Sequence, residues 1–431
     1  MTAAPRPVVL AAGGTGGHVF PAESLAGELA RRGVPLALVT DDRGRQWQGA
    51  LAELPVHRVR AASPSAGGLA NRARNVLSLG IGIAQSMALL GRLAPTAVVG
   101  FGGYACVPAM LAARLRRLPT LIHEQNAVLG RANRLVAGRG TTIATAFAAV
   151  RHLAGRDPRV RLVGNPVRDA VRALRDVPYV PPSQDGDIRM VVIGGSQGAA
   201  SLGVVIPDAI AALPDAIRNR LKLAQQCRAE DLERVRAFYA ARGIAAECQP
   251  FFADFPARLA GAHLVVARAG ASTVAELTTS GRPSVLVPFP HATEDHQRAN
   301  AKAVDEVGAS ILLPHERFTA DALREHLETL FGAPERLATM AAAARAAGHP
   351  DAARDLADLV IELIGHAHCR PERNEGPCGG SNIPSSRAQR GISREGRLHS
   401  QEIPRCARDD GLAAVPQGPS LCSGRQGGAA A

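Results

Sequence analysis

"PVVLAAGGTGGHVFP", residues 7 to 21, sets a short apolar run before four glycines, at 13, 14, 16 and 17, and follows them with a histidine and a proline. An unbroken apolar run reads as a strand covered on both faces, and glycines directly behind it read as a tight turn into a helix. The same order returns at "IRMVVIGGSQGAASLGVVIPDAIAAL", residues 188 to 213. Strands and helical stretches alternate around both copies. The first half reads as "VPLALVT" (34–40), a helix near 68–92, "TAVVGF" (96–101), a helix from Val107 and "PTLIHEQ" (119–125), with the first helix running from Phe20 to about Arg32. In the second half "AHLVVARAGASTVAELTTSG" (262–281) and "RPSVLVPFP" (282–290) repeat the theme. The expectation is an α/β chain with two doubly wound parallel sheets in tandem. The boundaries read as a domain at 1–167, a linker at 168–187 around the proline-rich "VPYVPPSQDGD", and a second domain at 188–365. From residue 366 to 431 the chain has no hydrophobic period and is rich in Gly, Pro, Ser and Arg, so it reads as a disordered tail without an assigned function. Ligands of such sheets gather at the carboxyl ends of the strands, which points to the cleft between the domains.

Composition narrows the function. Aromatic residues are 3% of the 431, too few for an extended base-stacking surface, so nucleic acid is not expected as a partner. The net charge of +12 suits a phosphorylated substrate or an anionic bilayer, although an arginine excess with only Lys222 and Lys302 as lysines reads as the mark of a GC-rich genome. The seven cysteines (Cys106, Cys227, Cys248, Cys369, Cys378, Cys406, Cys422) contain no CxxC pair, which argues against a zinc site or a redox motif. No signal-peptide pattern opens the chain and no apolar run reaches the roughly 18 residues of a spanning helix, so a cytoplasmic location is expected.

Glycine turns between strand and helix expose backbone N–H groups at the positive end of the helix dipole, where phosphate is the usual guest. Four such turns occur: Gly13–Gly17, "GFGGY" at 100–104, "GGSQGA" at 194–199 and "RAGAST" at 268–273. A dinucleotide fingerprint is not met. After Gly14 and Gly16 the third glycine position is Val19, although Asp41 and Asp42 stand where a ribose-binding acid would. His18 at the mouth of the first turn is a candidate base, since imidazole titrates near neutrality; a helix-capping role is the alternative.

Several strings then resemble, in order and spacing, the MurG family of N-acetylglucosaminyltransferases, which convert lipid I into lipid II in peptidoglycan synthesis. They are "GGTGGHVFPAESLAGEL" (13–29), "GFGGYACVPAMLAA" (100–113), "HEQNAVLGRANRLVA" (123–137), "GNPVR" (164–168), "GGSQGAASLG" (194–203) and "RAGASTVAEL" through "GRPSVLVPFPHATEDHQRANA" (268–301). The resemblance runs from about residue 7 to 364 and does not reach the tail. It implies the GT-B fold, two Rossmann-like domains facing across a cleft, with UDP-GlcNAc as donor and lipid I as acceptor.

On the matching positions the resemblance implies that Glu276 takes the ribose hydroxyls and that Ser196, Gly195 and Gln197 hold the diphosphate with Arg168 as countercharge. It further implies that His296, Gln297 and Asn126 reach the sugar, that Phe252 and its neighbours lie by the uracil, and that Thr15, Gly16, Gly17, Ala271, Ser272 and Thr273 complete the donor site. A salt bridge for Arg168 and a helix-dipole role for Glu276 are the plainer readings of those two residues. His18 is implied as the base that activates the muramyl C4 hydroxyl, with Glu124 as a second candidate. Gly13, Gly14, Gly102, Gly103 and Tyr104 are implied to receive the diphosphate of the lipid acceptor. No cofactor and no metal are expected, the only D-x-D string being "DGD" at 185–187.

Reaching a lipid substrate without spanning the bilayer requires a surface for it. "NVLSLGIGIAQSMALLGRL", residues 75–93, is apolar nearly all round and is rimmed by Arg72, Arg74 and Arg92, with Arg114, Arg116 and Arg117 further on. It reads either as a contact with an anionic membrane or as a core helix. The location implied is the cytoplasmic face of the bacterial inner membrane, with other cell-wall or division proteins open as partners. Two other classes stay open at this stage: another UDP-sugar enzyme of the same fold, such as a glycolipid synthase or a non-hydrolysing epimerase, and a nucleotide-sugar or dinucleotide-binding module without activity.

Overall fold

The structure is a computed structural model that describes residues 5–14, 16–42, 49–63, 68–154, 157–195 and 200–368. The strands form where apolar residues run without interruption. In the first half they are β1 (Val8–Ala11), β2 (Leu36–Thr40), β3 (Val56–Arg58), β4 (Ala97–Gly100), β5 (Thr120–Glu124), β6 (Thr141–Thr145) and β7 (Val160–Leu162). In the second half they are β8 (Ile188–Ile193), β9 (Leu221–Gln226), β10 (Ala246–Gln249), β11 (Leu264–Ala267), β12 (Ser284–Leu286) and β13 (Ser310–Leu312). Among the described residues the first sheet has seven strands in the order β3-β2-β1-β4-β5-β6-β7 and the second has six in the order β10-β9-β8-β11-β12-β13. All pairings are parallel, with Val8 opposite both Leu36 and Ala97, and Val265 opposite Val191 and Ser284. Two doubly wound sheets are thus present, as the repeat in the sequence implies.

The strand order reverses at β1 and β4 in one sheet and at β8 and β11 in the other. Those four strands are the ones that run into the four glycine turns. Each sheet therefore presents its bare backbone at the crevice where strand order diverges, the usual ligand position of an open parallel sheet.

Helices begin earlier than the sequence suggests. The first spans Gly16–Arg31 and the third Gly103–Leu115, each about four residues ahead of the expected start. Pro21 and Pro108 lie inside these helices rather than at their openings, so the glycines and His18 belong to the first helical turn.

Two segments pack differently from the expected division. The stretch read as a linker folds onto the second half: Val171 and Leu174 join its core, and the Tyr179 hydroxyl donates to the His263 carbonyl at 2.9 Å. The helix Ala352–His368 leaves the second half and returns to the first. Its Leu356, Ala357 and Val360 are fully buried with Leu25 and Leu29, and Asp358 accepts from Arg32 at 2.5 Å. Burying a leucine or valine contributes roughly 1.5 to 3 kcal/mol, so this apolar stripe, not chain order, decides where the helix docks. The helix also carries ordered chain past residue 366, where the tail was expected to begin; residues 369–431 lie outside the described residues.

The helix Leu69–Leu93 is neither of the two things expected of it throughout its length. Gly82, Ser86, Leu89 and Leu90 are buried at helical spacing, whereas the first two turns project, leaving Val76 57% and Leu77 66% exposed. It is the one helix among the described residues long and apolar enough to cross a membrane, yet its second half is part of the core.

Candidate active site

At the carboxyl edge of the first sheet, Gly102 and Gly103 both take left-handed backbone angles, with φ of 85° and 67°. The imidazole of His18 rests on them. A Cβ on Gly102 would stand 3.2 Å from His18 Cε1, and one on Gly103 would stand 3.3 Å from Cδ2. The two glycines are needed both for their backbone angles and for the space the ring occupies. His18 Nδ1 lies 3.1 Å from Gln125 Oε1. Tyr104 follows this turn and packs against the core of the first half. Gly13 and Gly14 follow the neighbouring strand β1, and a Cβ on Gly13 would come within 2.7 Å of Ala105, so this turn is close-packed against the helix Gly103–Leu115. Gly16 and Gly17 open the helix that carries His18, while Thr15 lies outside the described residues.

Glu124, the second candidate base, is engaged elsewhere. Its Oε1 accepts from the Asn126 backbone at 3.0 Å and side chain at 3.2 Å, and its Oε2 accepts from the Gly130 backbone at 2.9 Å and from Asn133 Nδ2 at 2.8 Å. A carboxylate with four donors around it closes a loop; it has no lone pair turned to a substrate hydroxyl. The geometry therefore favours His18. His123, one residue earlier, is fully buried, and burial pushes its pKa down to about 4, so it stays neutral.

Of the residues expected to bind the donor, Gly16, Gly17 and Asn126 lie on the first half and most of the others on the second. Arg168 and Glu276 meet, with Nε and Nη2 at 3.1 and 2.8 Å from Glu276 Oε1. Burial raises the Glu276 pKa above the ordinary carboxylate value, and Arg168 offsets part of the rise. Ala271, Ser272 and Thr273 form the first turn of the helix Ala271–Ser280, whose N-cap is Gly270. Ser272 Oγ is buried at this positive helix end and has no hydrogen-bond partner among the described residues.

His296 and Gln297 begin the helix His296–Asp305. His296 Nδ1 donates to the Thr293 carbonyl at 2.8 Å, and Gln297 Oε1 accepts from the Phe289 backbone at 2.9 Å. Gly195 is left-handed, with φ of 80°. Ser196 and Gln197 lie outside the described residues. Phe252 is buried, with the Arg258 guanidinium 4.2 Å from its ring centroid, so the ring is packed into the core and not presented to a base.

Three residues escape the sequence reading. Asn300 ties the halves together: its Oδ1 accepts from the Ala127 backbone at 2.8 Å, and its Nδ2 donates to Asn126 Oδ1 and the Ala269 carbonyl, each at 3.1 Å. Gln226 holds the third glycine turn, accepting from the Gly194 backbone at 3.1 Å and donating to the Pro250 carbonyl at 3.0 Å. Arg268 is a buried cation whose Nη1 and Nη2 donate to the Pro288 carbonyl and Ser201 Oγ, and no carboxylate among the described residues pairs with it. Its signal was visible as an arginine ending the apolar run "LVVAR". Among the described residues no group of three His, Cys, Asp or Glu side chains is placed to hold a metal ion.

The N-terminal domain of glycosyltransferase family 28 matches residues 8–145 and the family's C-terminal domain matches residues 189–356. Relatives in Paramagnetospirillum magneticum and Rhodospirillum centenum are 54% and 55% identical to this chain, over 83% of its length in each case and over 96% and 95% of theirs. Both are named UDP-N-acetylglucosamine--N-acetylmuramyl-(pentapeptide) pyrophosphoryl-undecaprenol N-acetylglucosamine transferase. The chain belongs to the MurG family, within glycosyltransferase family 28. The crystal structure of MurG from Acinetobacter baumannii matches with a TM-score of 0.68 at 29% identity, covering 83% of this chain and all of the other. A UDP-GlcNAc 2-epimerase from Neisseria meningitidis, bound to UDP-GlcNAc, matches with a TM-score of 0.54 over 83% of this chain and 99% of that one. At 13% identity that likeness shows the GT-B fold alone.

Proposed function

We propose that the chain transfers GlcNAc from UDP-GlcNAc to the muramyl C4 hydroxyl of lipid I, forming lipid II in peptidoglycan synthesis. The observation that carries the catalytic part is His18, seated on Gly102 and Gly103 at the switch point of the first sheet with Nδ1 directed at an accepting oxygen. The hydroxyl attacks the anomeric carbon from the face opposite the diphosphate. One C–O bond forms as the other breaks, which inverts the centre, and His18 takes the hydroxyl proton at Nε2. UDP leaves with the bonding pair. Its charge is met by backbone N–H groups of the third and fourth glycine turns and by Arg168, with Arg268 as a second cation. Glu276 accepts from the ribose hydroxyls. The first and second glycine turns, Gly13, Gly14, Gly102 and Gly103, receive the acceptor diphosphate, beside the base that serves its sugar.

The lipid acceptor brings the enzyme to the cytoplasmic face of the membrane as a peripheral protein. The projecting turns of the helix Leu69–Leu93 support this reading. Val76 and Leu77 stand exposed beside Arg72 and Arg74, and Leu115 is 67% exposed next to Arg116 and Arg117. Apolar side chains within a basic rim suit an anionic bilayer surface.

Transfer of radiolabelled GlcNAc to a lipid I analogue tests the proposal. Wild type transfers, and His18→Ala loses turnover by about a hundredfold or more, the usual size of a general-base contribution. A folded wild type that binds UDP-GlcNAc and transfers nothing to lipid I sinks the acceptor assignment.

A further inference from the structure

A line of hydrogen bonds runs from His18 inward. Gln125 follows β5 directly and is 1% exposed. Its Nε2 lies 3.0 Å from the Phe101 carbonyl oxygen, 3.0 Å from the His123 carbonyl oxygen and 3.1 Å from His123 Nδ1. Carbonyl oxygens only accept, so the end of the amide that faces them is the NH2 group. A reversed amide would press its oxygen against two others. The direction of the Gln125 amide is therefore dictated by its surroundings, and Oε1 is the atom turned to His18.

His123 agrees with this direction. Its Nε2 is 2.9 Å from the Gly164 carbonyl oxygen, so Nε2 carries the hydrogen and Nδ1 holds the lone pair that faces Gln125. Burial keeps the ring neutral, so that lone pair persists at neutral pH. Gly164 is itself left-handed, with φ of 84°, and a Cβ there would lie 2.2 Å from that of His349. The carbonyl at the far end of the line is thus fixed by a close crossing of the chain.

The consequence falls on His18. Its Nδ1 meets an oxygen that can only accept, so Nδ1 must carry hydrogen. In the neutral ring the lone pair is then on Nε2. We infer that Gln125 is a positioning residue that locks His18 in its Nδ1–H tautomer, leaving Nε2 to take the acceptor's proton, with His123 and the Phe101 carbonyl setting Gln125 itself. The inference rests on the reading of His18 as the base.

No proton travels along the line. The hydroxyl proton goes to Nε2, the ring becomes an imidazolium, and its Nδ1–H still donates to Gln125 Oε1. The amide orients the ring without setting a negative charge beside it. Glu124, the carboxylate nearest in sequence, cannot substitute, because both its oxygens are already taken within its own loop.

Two-bond nitrogen–proton correlation spectra of the full chain with 15N-histidine test the inference, with His18→Ala identifying the ring signals. The wild type is expected to show a protonated Nδ1 and a bare Nε2 on His18. Gln125→Met removes the accepting oxygen at nearly constant shape. It should shift the ring toward the Nε2–H form and lower kcat at least about tenfold, with the KM for UDP-GlcNAc within about twofold. Gln125→Glu keeps an oxygen toward His18 but loses the NH2 group that faces the Phe101 and His123 carbonyls, so its carboxyl must hold a proton there; the Nδ1–H form of His18 should persist, at the cost of a lower melting temperature. A wild-type spectrum with the proton on Nε2 overturns the inference, and so does a Gln125→Met enzyme with unchanged tautomer and turnover. Should Gln125→Met not fold, the wild-type spectrum decides. Transfer by His18→Ala at the wild-type rate sinks the base reading instead, so the two failures are told apart.

Discussion

The guanidinium of Arg168 closes on a single oxygen of Glu276, Oε1, and leaves Oε2 outside the pair. The two residues assigned to the ribose and the diphosphate of the donor are thus each other's partner. Ribose hydroxyls can be accepted by Oε2 while the pair is intact, so the ion pair aims the carboxylate. Glu276→Gln keeps the shape and loses the charge. A charged hydrogen bond contributes about 1.5 to 3 kcal/mol, so the KM for UDP-GlcNAc should rise roughly tenfold to a hundredfold while kcat changes little. Steady-state kinetics at saturating acceptor check this, and an unchanged KM removes Glu276 from the donor site.

Burial raises the Glu276 pKa and Arg168 partly restores it. The charged form is therefore lost at a higher pH than for an ordinary carboxylate. Donor KM should climb as pH falls, and Arg168→Ala should move the onset of that climb to higher pH by removing the guanidinium that holds the carboxylate in its charged form. Profiles of KM against pH for the two enzymes decide it; coincident curves would mean that the pair does not govern donor binding.

Glu124 is expected to act on the loop rather than on the substrate. Glu124→Gln turns an NH2 group toward donors that need an acceptor, leaving buried N–H groups unmet at a cost of about 1 to 3 kcal/mol each. The melting temperature should drop by several degrees, and turnover at a permissive temperature should stay within about tenfold of wild type. Calorimetry and the transfer assay separate this from His18→Ala, for which stability should hold and turnover should not.

Asn300 joins the first half through Ala127 and Asn126 to the second through Ala269. Asn300→Ala leaves the buried Ala127 N–H and Ala269 carbonyl without partners, which costs about 1 to 3 kcal/mol for each group. Hydrogen exchange should accelerate in 124–133 and around 268–271 and remain unchanged in β8 and β9. Uniform acceleration would mean that the residue supports global stability instead.

The repeat of apolar run and glycine turn was legible because a parallel sheet buried on both faces leaves little room for polar residues, and because a positive φ calls for glycine. Gly102 and Gly103 announced a turn in this way. What they could not announce was the imidazole lying on them, which comes from a helix more than eighty residues earlier in the chain. Asn300 and Gln226 were missed for the same reason. A polar side chain that links distant segments leaves no periodic trace, and its partners are set only when both sheets are in place. The helix Ala352–His368 shows the limit of reading boundaries by order, since Leu356 and Val360 fit either core by composition.

The helix Leu69–Leu93 provides the last prediction. Its buried positions begin at Gly82, so substitutions at Val76 or Leu77 touch no core. Inserting a leucine into the bilayer boundary is worth roughly 1.5 to 3 kcal/mol, and each arginine near an anionic surface adds about 1 kcal/mol. Leu77→Glu removes the first contribution and sets a negative charge beside Arg74. Cosedimentation with anionic vesicles should fall at least about tenfold, while kcat on a water-soluble lipid I analogue stays at the wild-type level. Vesicles of neutral lipid should bind the wild type weakly and salt should release it from anionic ones, because the arginine contribution is screened. Undiminished binding by Leu77→Glu would move the membrane contact to another face, with Leu115 and its flanking arginines the next surface to test.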